Sequence, residues 1–184
     1  MEIGDKLFKF ELPSTNGKIY NNFDFADKSA MLIVITCNHC PYANAYWKRI
    51  NKLATRYEED NLAVVCVNPN DANRYPDDSF DNMKKFMQST KYTFTYLRDE
   101  SQQIAKLLEA TRTPEAFLFN SKRELVYRGA IDDSWENEKA VTRVYLEDAL
   151  EMSLDGLEVD FPKIKPVGCS IKWMPGNEPE LINT

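Results

Sequence analysis

Apolar residues run without interruption over Ala30–Ile35 and almost so over Leu62–Val67, the pattern of strands buried on both faces. The first of these strands is expected over Ala30–Thr36. Between the two, Ala43, Trp47, Ile50, Ala54 and Tyr57 recur at three- and four-residue steps. That spacing predicts a helix over Pro41–Tyr57 with a single apolar stripe. A strand, a helix and a second strand in this order imply a parallel pair with a right-handed crossover. Upstream, Lys9–Leu12 and Lys18–Tyr20 flank the turn pair Asn16-Gly17 and read as a hairpin. Downstream, the polar loop Asn68–Pro76 leads into a helix over Asp77–Gln88, with Phe80, Met83 and Met87 on one face. Tyr96-Leu97 reads as a short strand, and Ile104, Leu107 and Leu108 mark a short helix over Ser101–Leu108. Glu115–Asn120 and Leu125–Ala130 form a strand pair turned at Ser121–Glu124. Val141, Tyr145, Ala149 and Met152 predict a last helix over Glu138–Met152. This order predicts an α/β fold: a central mixed β-sheet flanked by helices, with an N-terminal hairpin and a C-terminal extension.

The 184 residues suit one domain, and 43% hydrophobic content is enough for a real core. The net charge of −6 comes without a basic run, so neither nucleic acid nor an anionic membrane surface is an expected partner. Six residues is the longest uninterrupted apolar run, far short of a membrane span. The start Met1-Glu2-Ile3-Gly4-Asp5-Lys6 has no apolar h-region, so the cytoplasm is the expected compartment. After Asp155 the chain is irregular, with Pro162, Pro166, Pro175 and Pro179. Val167–Trp173 is nevertheless too apolar for a solvated tail. The domain is therefore expected over residues 1–174, with 175–184 as a loose tail.

Four cysteines, Cys37, Cys40, Cys66 and Cys169, are too few for a disulfide scaffold. Two form Cys37-Asn38-His39-Cys40, directly after a buried strand and directly before an amphipathic helix. That context puts Cys37 at or near a helix N-terminus, where unpaired N–H groups and the dipole stabilise a thiolate. A second thiol one turn away attacks the mixed disulfide and releases the product. Pro41 fits the first helical turn, where its missing N–H costs little. His39, the only histidine, would lower the Cys37 pKa further if its imidazole were partly charged, raising the reduction potential. Two other readings stay open: inert thiols at a strand end, and a metal site. Cys37, His39, Cys40 and Cys169 are four potential zinc ligands, although structural zinc sites more often use two well-separated pairs.

The chain resembles the thioredoxin superfamily, and within it the alkyl hydroperoxide reductase/thiol-specific antioxidant group, in its peroxiredoxin-like branch. The resemblance covers nearly the whole chain. It rests on Gly4–Leu12 with Asn16-Gly17-Lys18, on Thr36-Cys37-Asn38-His39-Cys40-Pro41-Tyr42, on Arg112–Phe119, and on Gly168-Cys169-Ser170-Ile171-Lys172-Trp173. It implies a thioredoxin-like fold with Pro114 in a cis peptide opposite the cysteines. Thr113 would then offer backbone hydrogen bonds to an extended peptide. Some residues depart from the pattern. Thr36 stands where thioredoxins carry Trp, and Asn38-His39 replaces their Gly-Pro. The Pro-x-x-x-Thr-x-x-Cys pattern of peroxiredoxins is absent in both registers: Ile33 and Cys37 would precede Cys40, and Ala30 and Val34 would precede Cys37. Without those donors a peroxide oxygen lacks a polarising site.

The resulting expectation is a thiol–disulfide oxidoreductase without a bound cofactor. Cys37 attacks, Cys40 resolves, and His39, Thr113, Pro114 and Cys169 are auxiliary. Its partners are dithiol or disulfide proteins or small thiols, with peroxide as a further substrate. The alternatives are a thiol peroxidase, and a non-catalytic thioredoxin-fold protein that binds a partner or holds a metal. Cys66 and Trp47 read as core. Cys169 reads either as structural or as a third redox thiol. Trp173 either caps the site or fills a groove. Arg112 reads as solvated, and Asp132, Asp133, Glu136 and Glu138 as a solvated loop and helix start.

Overall fold

The computed structural model describes residues 1–179. Part of the expected loose tail, residues 180–184, lies outside the described residues. A six-stranded mixed sheet forms the centre, in the order β5-β4-β3-β7-β8-β9. Its strands are β3 (Ala30–Ile35), β4 (Leu62–Asn68), β5 (Thr95–Arg98), β7 (Glu115–Phe119), β8 (Leu125–Gly129) and β9 (Lys163–Ile164). β3, β4 and β5 are parallel, while β7 runs antiparallel to both β3 and β8. This is the thioredoxin-like arrangement expected. β1 (Glu11–Pro13) and β2 (Ile19–Asn21) make the N-terminal hairpin.

Alternation along the strands divides the core. Leu32, Val34, Val64, Cys66, Ala116 and Leu118 meet α1 (Pro41–Arg56), α2 (Phe80–Gln88) and α4 (Tyr145–Leu154) on one face. Met31, Ile33, Ile35, Val65, Val67, Phe117 and Phe119 meet the hairpin and α3 (Gln103–Leu107) on the other. Every residue of β3 and β4 is buried, as continuous apolar runs require. Trp47 stacks on Phe94 at 5.6 Å and packs edge-on against Tyr96, so it is core, and Cys66 is fully buried.

Three helices start later than the periodicity suggests, α3 at Gln103 rather than Ser101. α2 begins at Phe80 because the Ser79 side chain caps it by accepting from the Asn82 amide, after a separate 3-10 turn at Pro76–Asp78. α4 begins at Tyr145 rather than Glu138. Asp133 accepts from the Thr142 amide at 2.9 Å, and its own amide donates to the Arg143 carbonyl. The β-branched Val141, Thr142 and Val144 favour that extended course over a helix. The acidic loop also differs from its solvated reading. Asp132 is buried, accepting from Tyr46 Oη and Arg49 Nη1, both at 2.7 Å.

The stretch after α4 is built into the domain. β9 pairs in parallel with β8, and a Cβ on Gly129 would fall 1.6 Å from the Ile164 carbonyl oxygen. β10 (Cys169–Ser170) pairs antiparallel with β6 (Arg112–Thr113). Ile171 is buried, and Asn177 bonds to Ser101, Gln102 and Lys106.

Asp99, directly after β5, ties that strand to α3. Its Oδ2 accepts from the Ala105 amide, while the buried Oδ1 has no partner among the described residues. Burial pushes its carboxyl up to about 6. The folded chain thus holds this proton to a higher pH than the unfolded chain, which releases it at about pH 4. Stability contributed here is present below that value and is lost as pH rises through the folded pKa. Asp99→Asn should therefore flatten the pH dependence of stability between about pH 4 and pH 6 and add about 1–3 kcal/mol above it. Urea unfolding at several pH values checks this, and an unchanged slope would contradict it.

Candidate active site

The parallel strands β3 and β4 end on the same edge of the sheet. Because β7 is antiparallel, its first residue, Glu115, lies opposite Ile35 at that edge. Three segments therefore meet there: Thr36–Cys40 after β3, Asn68–Asp78 after β4, and Arg112–Pro114 before β7. Cys37 and Cys40 are both fully buried and form a small cluster with Ala43, against which Tyr42 and Cys169 pack. The Thr113–Pro114 peptide is cis. Cys37 Sγ lies 3.5 Å from Thr113 Oγ1, and Cys40 Sγ 3.4 Å from the Thr113 carbonyl oxygen.

The helix begins at Pro41, as its periodicity predicts. Its N-cap is Cys40, with Pro41 in the first turn, so the dipole acts on Cys40 and not on Cys37. Cys40 Sγ makes no capping bond to the helix and donates to the Thr113 carbonyl oxygen; around it lie the Cys37 and Cys169 thiols and the amides of Ala43 and Cys169. Together these hold the Cys40 thiol well below the ordinary cysteine range. Cys37 moves the other way. The neighbouring Cys40 thiol, burial and the nearby Asp78 charge all push it up. Burial, then the bond to Cys40, raises Cys169 as well.

His39 turns away from the role expected of it. Its Nδ1 pairs with Asp78 Oδ2, and its ring stacks on Tyr75 at 5.4 Å. A carboxylate only accepts, so the Nδ1 hydrogen points to Asp78. Asp78 is fully buried and takes three further donors. The Asn38 amide donates to Oδ1 at 2.6 Å, Asn68 Nδ2 to Oδ1 at 3.1 Å, and Asn70 Nδ2 to Oδ2 at 2.9 Å. Tyr96 Oη donates to Asn38 Oδ1 at 2.7 Å. His39 thus anchors the Cys-x-x-Cys loop to a buried anion. That anion opposes ionisation of Cys37, where a free imidazolium would have favoured it.

Asp78 and its asparagines escaped sequence reasoning because Asn68–Pro76 looks like an ordinary polar loop and Asp78 like a helix start. Asn68, Asn70 and Asp71 are in fact buried. The available signal was the density of short polar side chains directly after a fully apolar strand.

Cys37, His39 and Asp78 offer ligand atoms that lie within 4.8 Å of one another. They form the one such group among the described residues, so the four-ligand set of Cys37, His39, Cys40 and Cys169 is not assembled. All four acceptor positions of Asp78 are engaged, and Cys37 is pushed towards its protonated form, so this group is a poor metal cradle. Of the remaining candidates, Arg112 is exposed and Trp173 packs into the core on the α3 face.

The mixed sheet, with a buried Cys-x-x-Cys pair at a strand–helix junction facing a cis-proline, is that of a thioredoxin-like fold. The model of the AhpC/TSA family matches residues 3–128, and the chain belongs to that family. A hypothetical protein from Sinorhizobium meliloti is 34% identical, with a TM-score of 0.89 over 96% of this chain and 97% of that one. An uncharacterized conserved protein from Geobacillus kaustophilus is 36% identical, with a TM-score of 0.88 over 95% and 93%. A putative thiol:disulfide interchange protein DsbE from Chlorobium tepidum shares the fold at 20% identity, with a TM-score of 0.64 over 85% and 97%. Among curated proteins none matches the chain.

Asp78→Asn removes the charge that faces Cys37 and disturbs four hydrogen bonds. It should make Cys37 alkylate faster at a given alkaline pH, at a cost of about 2–4 kcal/mol in stability. Peptide-resolved alkylation across pH checks the first effect, and an unchanged Cys37 profile would remove Asp78 from the electrostatics of the pair.

Proposed function

We propose that the protein is a thiol–disulfide oxidoreductase working through the Cys37/Cys40 dithiol. The observation that carries this reading is the geometry of the pair: Cys37 and Cys40 cluster at the opening of α1, with Cys40 as its N-cap, and both sulfurs lie against Thr113 of the cis Thr113–Pro114 peptide. Cys40 is accordingly the attacking thiolate and Cys37 its partner in the disulfide, the reverse of the order the motif suggests. Attack by Cys40 sulfur on a disulfide forms a mixed disulfide and expels one thiolate. A second thiol of the protein then displaces the other. The enzyme is left oxidised and is reset by a thiol or dithiol donor. His39, through Asp78, positions the loop. The cytoplasm, where such donors keep thiols reduced, is the compartment this reading takes.

The test is an equilibrium titration in glutathione buffers, with every cysteine followed by mass-resolved alkylation. Cys37 and Cys40 should become protected together in one two-electron transition. Independent alkylation of the two across the whole series would refute the reading.

A further inference from the structure

The surface that exchange proteins of this shape would offer to an extended peptide is already occupied by the chain itself. Arg112 and Thr113 pair antiparallel with Ser170 and Cys169, so the strand edge beside the cysteines has its partner. The approach is close. A Cβ on Gly168 would sit 2.3 Å from the Thr113 carbonyl oxygen and 2.7 Å from its carbon. Contact with backbone at that distance leaves room only for glycine. The strand is also held on its far side. The Asp71 amide donates to the Lys172 carbonyl at 2.8 Å, and the Lys172 amide to Asn70 Oδ1 at 2.9 Å. Gln102 Nε2 reaches both the Pro69 and Lys172 carbonyls, and its Oε1 accepts from the Met174 amide. Residues 168–174 therefore bridge the site from the Thr113 edge to the loop after β4. Cys169 packs against the Cys37–Cys40 cluster, opposite Thr113 in the strand pair.

We propose that Gly168–Ser170 is a built-in substrate strand: it fills the peptide-docking edge at Thr113, confines Cys40 to disulfides of low molecular weight, and presents Cys169 as the thiol that resolves the adduct. The inference rests on the exchange reading above and specifies its substrate class. A small disulfide reaches Cys40 with a local shift of the strand, whereas a polypeptide needs the whole pairing to be vacated. Cys40 thiolate attacks RS–SR, forming Cys40–S–SR and releasing RS⁻. Cys169 sulfur then attacks Cys40 sulfur, displacing the second RS⁻, which takes up the Cys169 proton. The product is a Cys40–Cys169 disulfide and two RSH, once the first RS⁻ is protonated from solvent. Cys37 next attacks Cys40 sulfur, giving the Cys37–Cys40 disulfide and returning Cys169 as a thiol, its proton supplied by Cys37. The substrate disulfide is reduced by two electrons and the protein dithiol is oxidised by two.

Cys37→Ser stops the sequence before the last exchange. Treated with dithiodipyridine, this variant should release a second thiopyridone and yield a Cys40–Cys169 linked peptide by mass mapping. The thiopyridyl adduct on Cys40 should disappear at least about 100-fold faster than in Cys37→Ser/Cys169→Ser, as a tethered thiol demands. A stable adduct on Cys40 with Cys169 still open to alkylation would overturn the inference. The wild-type glutathione titration separates the two failures. If the Cys37–Cys40 disulfide forms there but the trap fails, only the built-in strand is wrong. If it never forms, the exchange reading falls and takes the inference with it. Gly168→Ala addresses substrate size. With folding confirmed by circular dichroism, its rate on a polypeptide disulfide should rise about tenfold relative to its rate on dithiodipyridine. An unchanged ratio in the folded variant would remove the size restriction.

Discussion

A carboxylate taken out of water is tolerated only when its oxygens are filled with donors, and Asp78 meets that condition with donors drawn from two separate segments. Asn68 ends β4 and Asn70 follows it, Asn38 and His39 come from the turn between β3 and α1, and Asp78 itself lies on the approach to α2. Beyond Asn68, which still pairs with Arg98 of β5, these residues lie outside the sheet ladder. The buried anion fixes them together, and so fixes the path of the turn that carries both cysteines. Removing any one donor leaves a desolvated charge short of a bond, a far larger penalty than losing an exposed ion pair.

The same anion divides the labour of the two thiols. Cys37 sits on the side of the turn that faces Asp78, where further negative charge is resisted. Cys40 sits at the opening of α1, where amide hydrogens and neighbouring thiols favour it. A spacing of three residues is thus converted into a difference of electrostatic environment. A motif read along the chain shows two equivalent thiols, and only the fold makes them unequal.

The sheet, the helices and the cysteine turn were legible because their signals are local: continuous apolar runs, three- and four-residue recurrence, Asn16-Gly17, and Cys37 with Cys40 between a strand and a helix. The start of α4 was not, because Asp133 competes with the helix for Thr142 from nine positions away in the chain. The role of His39 was misjudged for a similar reason. Its partner lies 39 residues on, and nothing in the adjacent residues announces an acid there. Cys169 carried a signal, since Gly168-Cys169 is a small residue beside a reactive one. Its neighbour across the strand pair, Thr113, becomes visible only when the topology brings the two together.

The bridge over the cysteines comes from residues 168–174, which lie far along the chain from the loops they join. The dithiol, its anion and the Thr113 edge are all complete well before that segment has been made. During synthesis, a domain that already carries its thiolate-stabilising helix therefore stands uncovered, with an unpaired strand edge beside two thiols. The last step of assembly is a long-range closure, slow for its size because so much chain separates the parts it joins. In that interval the nascent protein presents the open groove that the finished one lacks, and a thiol-bearing chain nearby meets a different reactivity from the one the mature fold displays.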